Sequence, residues 1–531
     1  MKKKILYGQD AQDKIVLGIK KLFKTVAPTF GGEGKNVIFG QQFGIPETTR
    51  DGVTVAKEFD LDDIHEKLAA DLLRVASLKT NDDVGDGTTT AIILAYHLIK
   101  LGFIELKDSK YSPIKLSKDL KIAVNDIIEQ LKKRAKKITT EEQMVQIGTI
   151  AARDSDIGEL VAKTLSEAGK YGVIDVQDSK STETTKEVVK GLKIDKGYIS
   201  PYFVNNFDKM TAEYYDMNVL ITDHKLSDID DIIKLLENLK KPLLIMADEV
   251  DEKGTALPTL LLNRIKHGAR IVVTKAPSFG ENRKEILKDI AAITGATLIS
   301  EDTGLKLIDA TEDMLGVAEK ITVGKSETIV VGGMGKKGVI DKRINQVKTE
   351  SGLAEGKYDQ ENLQKRLAGL TGGIAVIKVG GSSEVEQKEK KYRVEDAVAA
   401  IGAALQEGVI PGGGIPLLEI SEKLNSKTSI NKVLKETLKE PFLQIIRNAG
   451  IAPEPILEEI KKKKFKIGYD VVNNKYGDML EIGIIDPVKV TRTALENAAS
   501  VAASVLITET IIATEKEEAP PVMTPPQPPM M

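Results

Sequence analysis

Apolar positions recur at intervals of three and four along the first 135 or so residues. Leu68, Leu72, Val75 and Ala76 form one such series and Ile92, Ile93, Tyr96 and Ile99 another, and each spacing sets its members along one side of a helix. Between them lies the polar stretch NDDVGDGTTT (81–90), which predicts a loop with threonines opening the second helix. From about 190 to 375 the pattern changes to short apolar runs, LLIMA (243–247) and RIVVT (270–274), around a helical stretch at 256–268. Helical periodicity returns from 394 to 405 and again near the C-terminus. An α/β block is therefore inserted into a helical one. The expected fold is multidomain α and α/β, with a mainly helical domain built from both chain ends.

A chain of 531 residues exceeds what one hydrophobic core supports, so several domains are expected. Hydrophobic residues at 41% and a net charge of -3 fit a globular protein and give no global attraction to nucleic acid or to a membrane, so neither is expected as a partner. The sequence contains no cysteine, which excludes disulfides, thiolate metal sites and a cysteine nucleophile. The N-terminal lysines are followed by Asp10 and Asp13 rather than an apolar run, so a cytoplasmic location is expected. The most apolar stretch, 498–513, is interrupted by Ser500, Ser504, Thr508, Glu509 and Thr510 and reads as a buried helix. Residues 516–531, dense in proline and methionine, are expected to be disordered.

The candidate chemistry lies in four glycine-containing turns. Asp86-Gly87-Thr88-Thr89-Thr90 combines a close-approach glycine, hydroxyl donors at a helix start and a carboxylate able to hold Mg²⁺, an arrangement suited to phosphate. Alone it is equally the sequence of a helix cap. Thr29-Phe30-Gly31-Gly32-Glu33-Gly34, Arg50-Asp51-Gly52 and Gly412-Gly413-Gly414 accompany it, and none carries the Gly-Lys-Ser/Thr ending of a Walker A loop. In the middle block, Ile229, Ile232, Ile233, Leu235, Leu236 and Leu239 make a stripe broader than one buried helix face needs.

The order of these segments, with RDGVTVAKE (50–58), VGDGTTTA (84–91), GYISPYF (197–203), KAPSFGENR (275–283), TGGIAVIKVGG (371–381), KYRVEDAVAA (391–400) and DPVKVTRTALENAAS (486–500), resembles the group I chaperonins, the GroEL type and its organellar relatives. The resemblance runs over roughly 3–514. It implies an equatorial domain at 1–132 and 407–515, an intermediate domain at 133–189 and 375–406, and an apical domain at 190–374, with hinges at Gly191 and Gly372-Gly373. It also implies an ATPase using ATP and Mg²⁺, with K⁺ as an optional second cation. The ATP pocket would comprise Thr29, Phe30, Gly31, Gly32, Arg50, Asp86, Gly87, Thr88, Thr89, Thr90, Gly413, Asp470, Val471, Val472 and Asp486. Asp86 would be the magnesium ligand, and Asp396 and Asp51 the catalytic carboxylates. Tyr198, Ser200, Tyr202, Phe203, Ile233, Leu236, Leu257, Leu261 and Leu262 would bind substrate.

The partners so implied are non-native polypeptides, a GroES-type co-chaperonin and further copies of the chain in seven-membered rings, stacked as a 14-mer. The long apical insertion that serves the other chaperonin group as a lid is absent between 190 and 374. Gly32 and Glu33 depart from the usual proline and lysine, Asp470 from asparagine, and the tail from a Gly-Gly-Met repeat. An ATP-dependent enzyme acting on a small molecule and a scaffold with a degenerate nucleotide pocket remain as alternatives.

Overall fold

The computed structural model describes residues 3–40, 47–109, 111–168, 173–207, 209–354, 356–372, 374–465 and 467–514. Gly373 and the tail at 516–531 lie outside them. The chain divides into two compact units, Met1–Val161 with Arg393–Met531, and Ala162–Tyr392.

The first unit is built on long helices, Gly8–Val26, Ile64–Val84, Thr88–Ser109, Pro113–Arg134 and Val488–Val505, around one apolar core. Both chain ends meet in it: Lys3–Tyr7 pairs antiparallel with Thr510–Thr514, Lys3 opposite Thr514 and Tyr7 opposite Thr510. The stretch expected as one buried helix thus divides, helix to Val505 and strand from Thr510. Thr508 and Glu509 separate the two parts, and the β-branched Ile511 and Ile512 favour the ladder.

Helix Thr88–Ser109 has a mean hydropathy of 1.4 over its most apolar window and is long enough to cross a membrane, but 61% of that window is buried within the protein. Ile92, Ile93, Tyr96 and Ile99 all face inward, as their spacing predicts. Helix Ile64–Val84 is placed correctly by its pattern, but of the series Leu68, Leu72, Val75 and Ala76 only Ala76 faces inward. Ala69, Ala70, Leu73 and Ala76 are buried, whereas Leu68, Leu72 and Val75 are exposed. Small side chains suit the buried face because the neighbouring helix comes close: a Cβ on Gly18 would lie 2.2 Å from the Glu66 carbonyl oxygen.

The second unit contains a seven-stranded mixed sheet. Its order is Ile271–Lys275, Leu243–Ala247, Ala212–Thr222, Gly316–Val323, Thr328–Gly333 and Gly191–Ile194, with Leu298–Ile299 pairing the end of Ala212–Thr222. The first three strands run parallel, and Leu243–Ala247 is buried at every position, as a strand covered on both faces must be. A three-stranded sheet, Val173–Asp178, Ile374–Val379 and Thr185–Val189, completes the unit. Val331, Ile374 and Val376 form an apolar cluster between the two sheets, and a buried ion pair, Lys320 Nζ to the Asp175 carboxylate at 2.9 and 3.0 Å, also spans them.

Among the helices of this unit, Asp289 is buried and clamped by Arg343 Nε at 2.6 Å and Arg366 Nε at 2.7 Å. Gly191 lies within a paired strand, where a Cβ would stand 2.4 Å from the Val330 carbonyl oxygen, so close packing already accounts for its glycine.

Candidate functional site

Three of the four glycine turns converge inside the first unit. Helix Ile64–Val84 ends on Gly85 and the chain reverses through Gly87 to start the helix at Thr88; both glycines are left-handed, at φ 71° and 79°, a conformation that other residues adopt only with strain. The Arg50–Gly52 turn lies directly against this reversal. A Cβ on Gly52 would stand 2.0 Å from Thr89 Oγ1 and 3.5 Å from Thr29 Oγ1, so glycine is required for three loops to share the space. Thr29 and Thr89 are buried beside it, as is Thr88. Thr90 and Phe30 are half-buried.

Arg50 holds the first loop in place, its Nη2 donating to the carbonyls of Gly31, at 3.0 Å, and Gly32. Asn448, which the sequence did not single out, donates from Nδ2 to the carbonyls of Ala27 and Phe30 at 2.9 and 2.8 Å and anchors the loop from the other side. The Asp51 carboxylate caps helix Gly52–Glu58, accepting from Val53 N at 3.3 Å, Thr54 N at 2.7 Å and Thr54 Oγ1 at 2.6 Å.

Asp86 accepts a hydrogen bond from Gly87 N at 2.6 Å. Burial raises its pKa, with Asp51 adding to the shift while Gly87 N and Arg153 oppose it. Asp396, on helix Glu384–Glu407, is pushed well above the usual carboxylate range, first by burial and then by the charges of Asp86 and Asp51. Ala399 on the same helix sits over Gly85, at 2.5 Å from where a Cβ would be, which fixes Asp396 beside the loop. Asp486 pairs with Ile410 in a short antiparallel ladder, beside Gly412. Burial, with a further contribution from Asp86, raises it to about 7. Asp86 adds to the shifts of both Asp396 and Asp486, so the three carboxylates gather around one half-buried space where their repulsion favours a cation. Gly413, at φ 69°, borders the same ladder.

Two expected nucleotide contacts differ. Asp470 directs its carboxylate into its own turn, accepting from Val472 N at 3.0 Å, Asn473 N at 3.2 Å and Asn473 Nδ2 at 2.7 Å. Val471 is buried in the cluster of Ile415, Leu418, Phe442 and Met479 and is a core residue. Val472 is exposed instead, and its Cγ2 would be 3.0 Å from a Cβ on Gly32, so the glycine in place of proline makes room for this valine. No group of three or more His, Cys, Asp or Glu among the described residues is arranged to hold a metal by itself.

The expected substrate residues belong to the second unit, and the structure separates them. Phe203 is fully buried and Leu257 nearly so, both within the core around the seven-stranded sheet, and therefore neither offers surface. Phe203 is drawn in because the turn Pro201–Phe203 packs on helix Ala256–His267, where Arg264 Nη2 donates to the Val204 carbonyl at 3.2 Å. Ser200 caps that turn through Tyr202 N. Tyr198 bridges to Thr274 and lines a pocket of about 380 Å³ with Lys275, Lys325 and Glu252, a charged setting rather than an apolar one.

Leu236 and Leu261 are half-buried against the core. Tyr202, Ile233 and Leu262 are exposed, and Ile265, on the same helix as Leu262, joins them at 61% exposure. The broad stripe at 229–239 forms a 3₁₀ turn followed by helix Ile233–Asn238, burying Ile232 and Leu235 and leaving Ile233 outside.

Residues 22–516 match the TCP-1/cpn60 chaperonin family. The chain belongs to this family. In fold this chaperonin is similar to the chaperonin gp146 from the bacteriophage EL 2 (Pseudomonas aeruginosa), whose crystal structures were obtained in the presence of ATP-BeFx. The identity is 22%, with 96% of this chain and 99% of that one covered; the TM-score is 0.72 for one crystal form and 0.63 for the other. Membership assigns the chaperonin a role in protein folding.

Proposed function

We propose that this chaperonin binds and hydrolyses MgATP in the pocket of the first unit and uses the cycle to capture and release non-native polypeptides on the second. The observation that carries the reading is the convergence of Thr29, Gly52 and Thr89 on a helix start, beside the half-buried Asp86 and Asp396, whose pKa values are raised. Amides and hydroxyls at the Thr88 helix start would receive phosphate oxygens. Asp86 would hold the Mg²⁺ that arrives with them, which supplies charge neutralisation once bound.

Asp396 would orient the attacking water. As the water oxygen bonds to the γ-phosphorus, the bond to the bridging oxygen breaks, its electron pair leaves on ADP, and the water proton passes to a phosphate or carboxylate oxygen. Asp51, fixed by its three helix donors, would lie beside the reacting phosphate and shape the turn that positions Thr89. Asp470 would act through its turn, which presents Val472, rather than by contacting the base.

The division into equatorial, intermediate and apical domains, the seven-membered ring and its stacking, and a lid-shaped co-chaperonin belong to the same proposal. Tyr202, Ile233, Leu262 and Ile265 would provide the capture surface, because non-native chains share exposed apolar area and no common shape. The test is Asp396→Ala in the assembled protein. ATP binding and ring images by negative stain should match wild type while turnover falls by about 10²-fold or more. Unchanged turnover would remove Asp396 from the reaction, and absence of nucleotide binding in wild type would remove the ATPase reading.

A further inference from the structure

Among the described residues, the chain passes between the two sheets of the second unit twice. Strand Thr185–Val189 of the three-stranded sheet leads through Lys190 alone into Gly191–Ile194 of the seven-stranded one. Helix Lys357–Gly372, which packs on Gly191–Ile194, leads within two residues into Ile374–Val379 of the three-stranded sheet. The two crossings lie together, since a Cβ on Gly191 would stand 2.8 Å from Ile374 Cδ1. Two short links side by side join the sheets as a hinge does, and the contact beyond the links fixes how the sheets face each other.

That contact mixes apolar and charged groups. Val331, Ile374 and Val376 supply the apolar part. Lys320 pairs opposite Val331, and Asp175 opposite Val376, so each charge lies one strand further from the crossings. Lys320 Nζ donates to both Asp175 oxygens, at 2.9 and 3.0 Å, and Gln177 Nε2 donates to Asp175 Oδ2 at 2.7 Å. The Tyr215 ring stands 5.9 Å from the same ammonium. Lys320 is 4% exposed and Asp175 8%, so both charges have lost most of their water. Such a pair contributes little to stability beyond what apolar side chains of similar volume would, because desolvation offsets the attraction. It does discriminate between arrangements. With the sheets together the two groups satisfy each other in one geometry; with the sheets parted water takes both, whereas an apolar pair would be left exposed. A small displacement satisfies neither.

We infer that the Lys320–Asp175 pair is a latch across this hinge: it holds the two sheets in one relative placement and lets them part without leaving apolar surface behind. The contact favours two states, together and parted, over those between them. The role of the latch in the working cycle rests on the proposal that the second unit captures and releases polypeptides as ATP is bound and hydrolysed.

The sequence contains no cysteine, so dyes attached through Thr182→Cys and Ser326→Cys, both at exposed positions, report the distance between the sheets in the full-length protein. Single-molecule energy transfer and melting temperature are measured with and without ATP for the otherwise wild-type chain, for Asp175→Asn, and for Lys320→Met combined with Asp175→Leu. Asp175→Asn keeps the shape and leaves the ammonium without a counter-charge, so without ATP the parted population should rise about 10-fold or more. The apolar pair should keep or raise the melting temperature and, on addition of ATP, part about 10-fold less than wild type. Identical distance distributions for wild type and Asp175→Asn without ATP overturn the latch, whether or not the apolar pair folds. So does an Asp175→Asn variant whose melting temperature falls with no parted population, which makes the pair an ordinary core contact. A wild type that ignores ATP while Asp175→Asn still parts keeps the latch and overturns its coupling to nucleotide.

Discussion

His97 sets an acid limit on the stability of the first unit. It lies on helix Thr88–Ser109, edge-on to Phe23 at 5.4 Å and to Tyr96 at 4.9 Å, with Nε2 3.5 Å from Glu440 Oε2. Burial pushes its pKa down to about 4; Glu440 opposes the shift, and Lys100 and Arg447 add to it. In the unfolded chain a histidine titrates near 6.5, so between these values the unfolded chain holds the proton and the folded chain does not. Stability is therefore fully present above about pH 6.5, falls as pH is lowered through the window, and levels off below about pH 4. The shift amounts to ~3 kcal/mol at the limit and ~2 kcal/mol by pH 5.

If the first unit, about 300 residues, unfolds together, ~2.1 cal/mol/K per residue turns ~2 kcal/mol into a drop of ~3 °C between pH 7.5 and pH 5. Asp396 and Asp486, with raised pKa values, act in the opposite sense over the same range, so wild type alone does not isolate the effect. His97→Phe keeps a ring against Phe23 and Tyr96 and removes the titration. Melting temperatures of both proteins across pH 7.5 to 5 should diverge by ~3 °C, with the wild type falling faster. Parallel curves would refute the reasoning.

Three further outcomes are expected. Asp289→Ala leaves the guanidinium groups of Arg343 and Arg366 buried beside a missing carboxylate and should destabilise the second unit by ~3–5 kcal/mol in urea titration; a change under ~1 kcal/mol would mean that solvent reaches the clamp. Gly52→Ala forces a methyl to within 2.0 Å of Thr89 Oγ1 and should lower both ATP affinity and melting temperature, by ~1–3 kcal/mol of overpacking; wild-type ATP affinity would show that the three loops do not share one site. Leu262→Ser should weaken capture of a chemically unfolded test protein with little change in melting temperature, whereas Phe203→Ala should destabilise by ~3–5 kcal/mol; the reverse pattern would exchange their roles.

Elements with strong periodicity were legible from sequence. The helix at 256–268 appears as Ala256–His267, and the runs at 243–247 and 270–274 appear as neighbouring parallel strands. The insertion of an α/β block between helical ends was legible too, because the period of the apolar pattern changes from helical to strand-like and back. Of the site, the individual glycine turns could be read, since glycine and polar clusters mark reversals whatever surrounds them.

Facing, contact and availability were not legible. Leu68, Leu72 and Val75 have the spacing of a buried face and lie outside, because close approach of the neighbouring helix at Gly18 and Glu66 selects the small residues instead. Phe203 and Leu257 looked like surface for a partner and are core, since the sheet beneath them needed covering. Asp470 carries the right chemistry for a ligand and directs it into its own turn. Asn448 gave no signal at all, as an isolated asparagine has no period to betray it. Local sequence determines which backbone conformations are cheap and thus where helices, strands and reversals fall. Which loops share a pocket, and which side chains remain free inside it, depends on contacts between residues hundreds of positions apart, such as Asn448 with Phe30, and only the closed tertiary structure decides them.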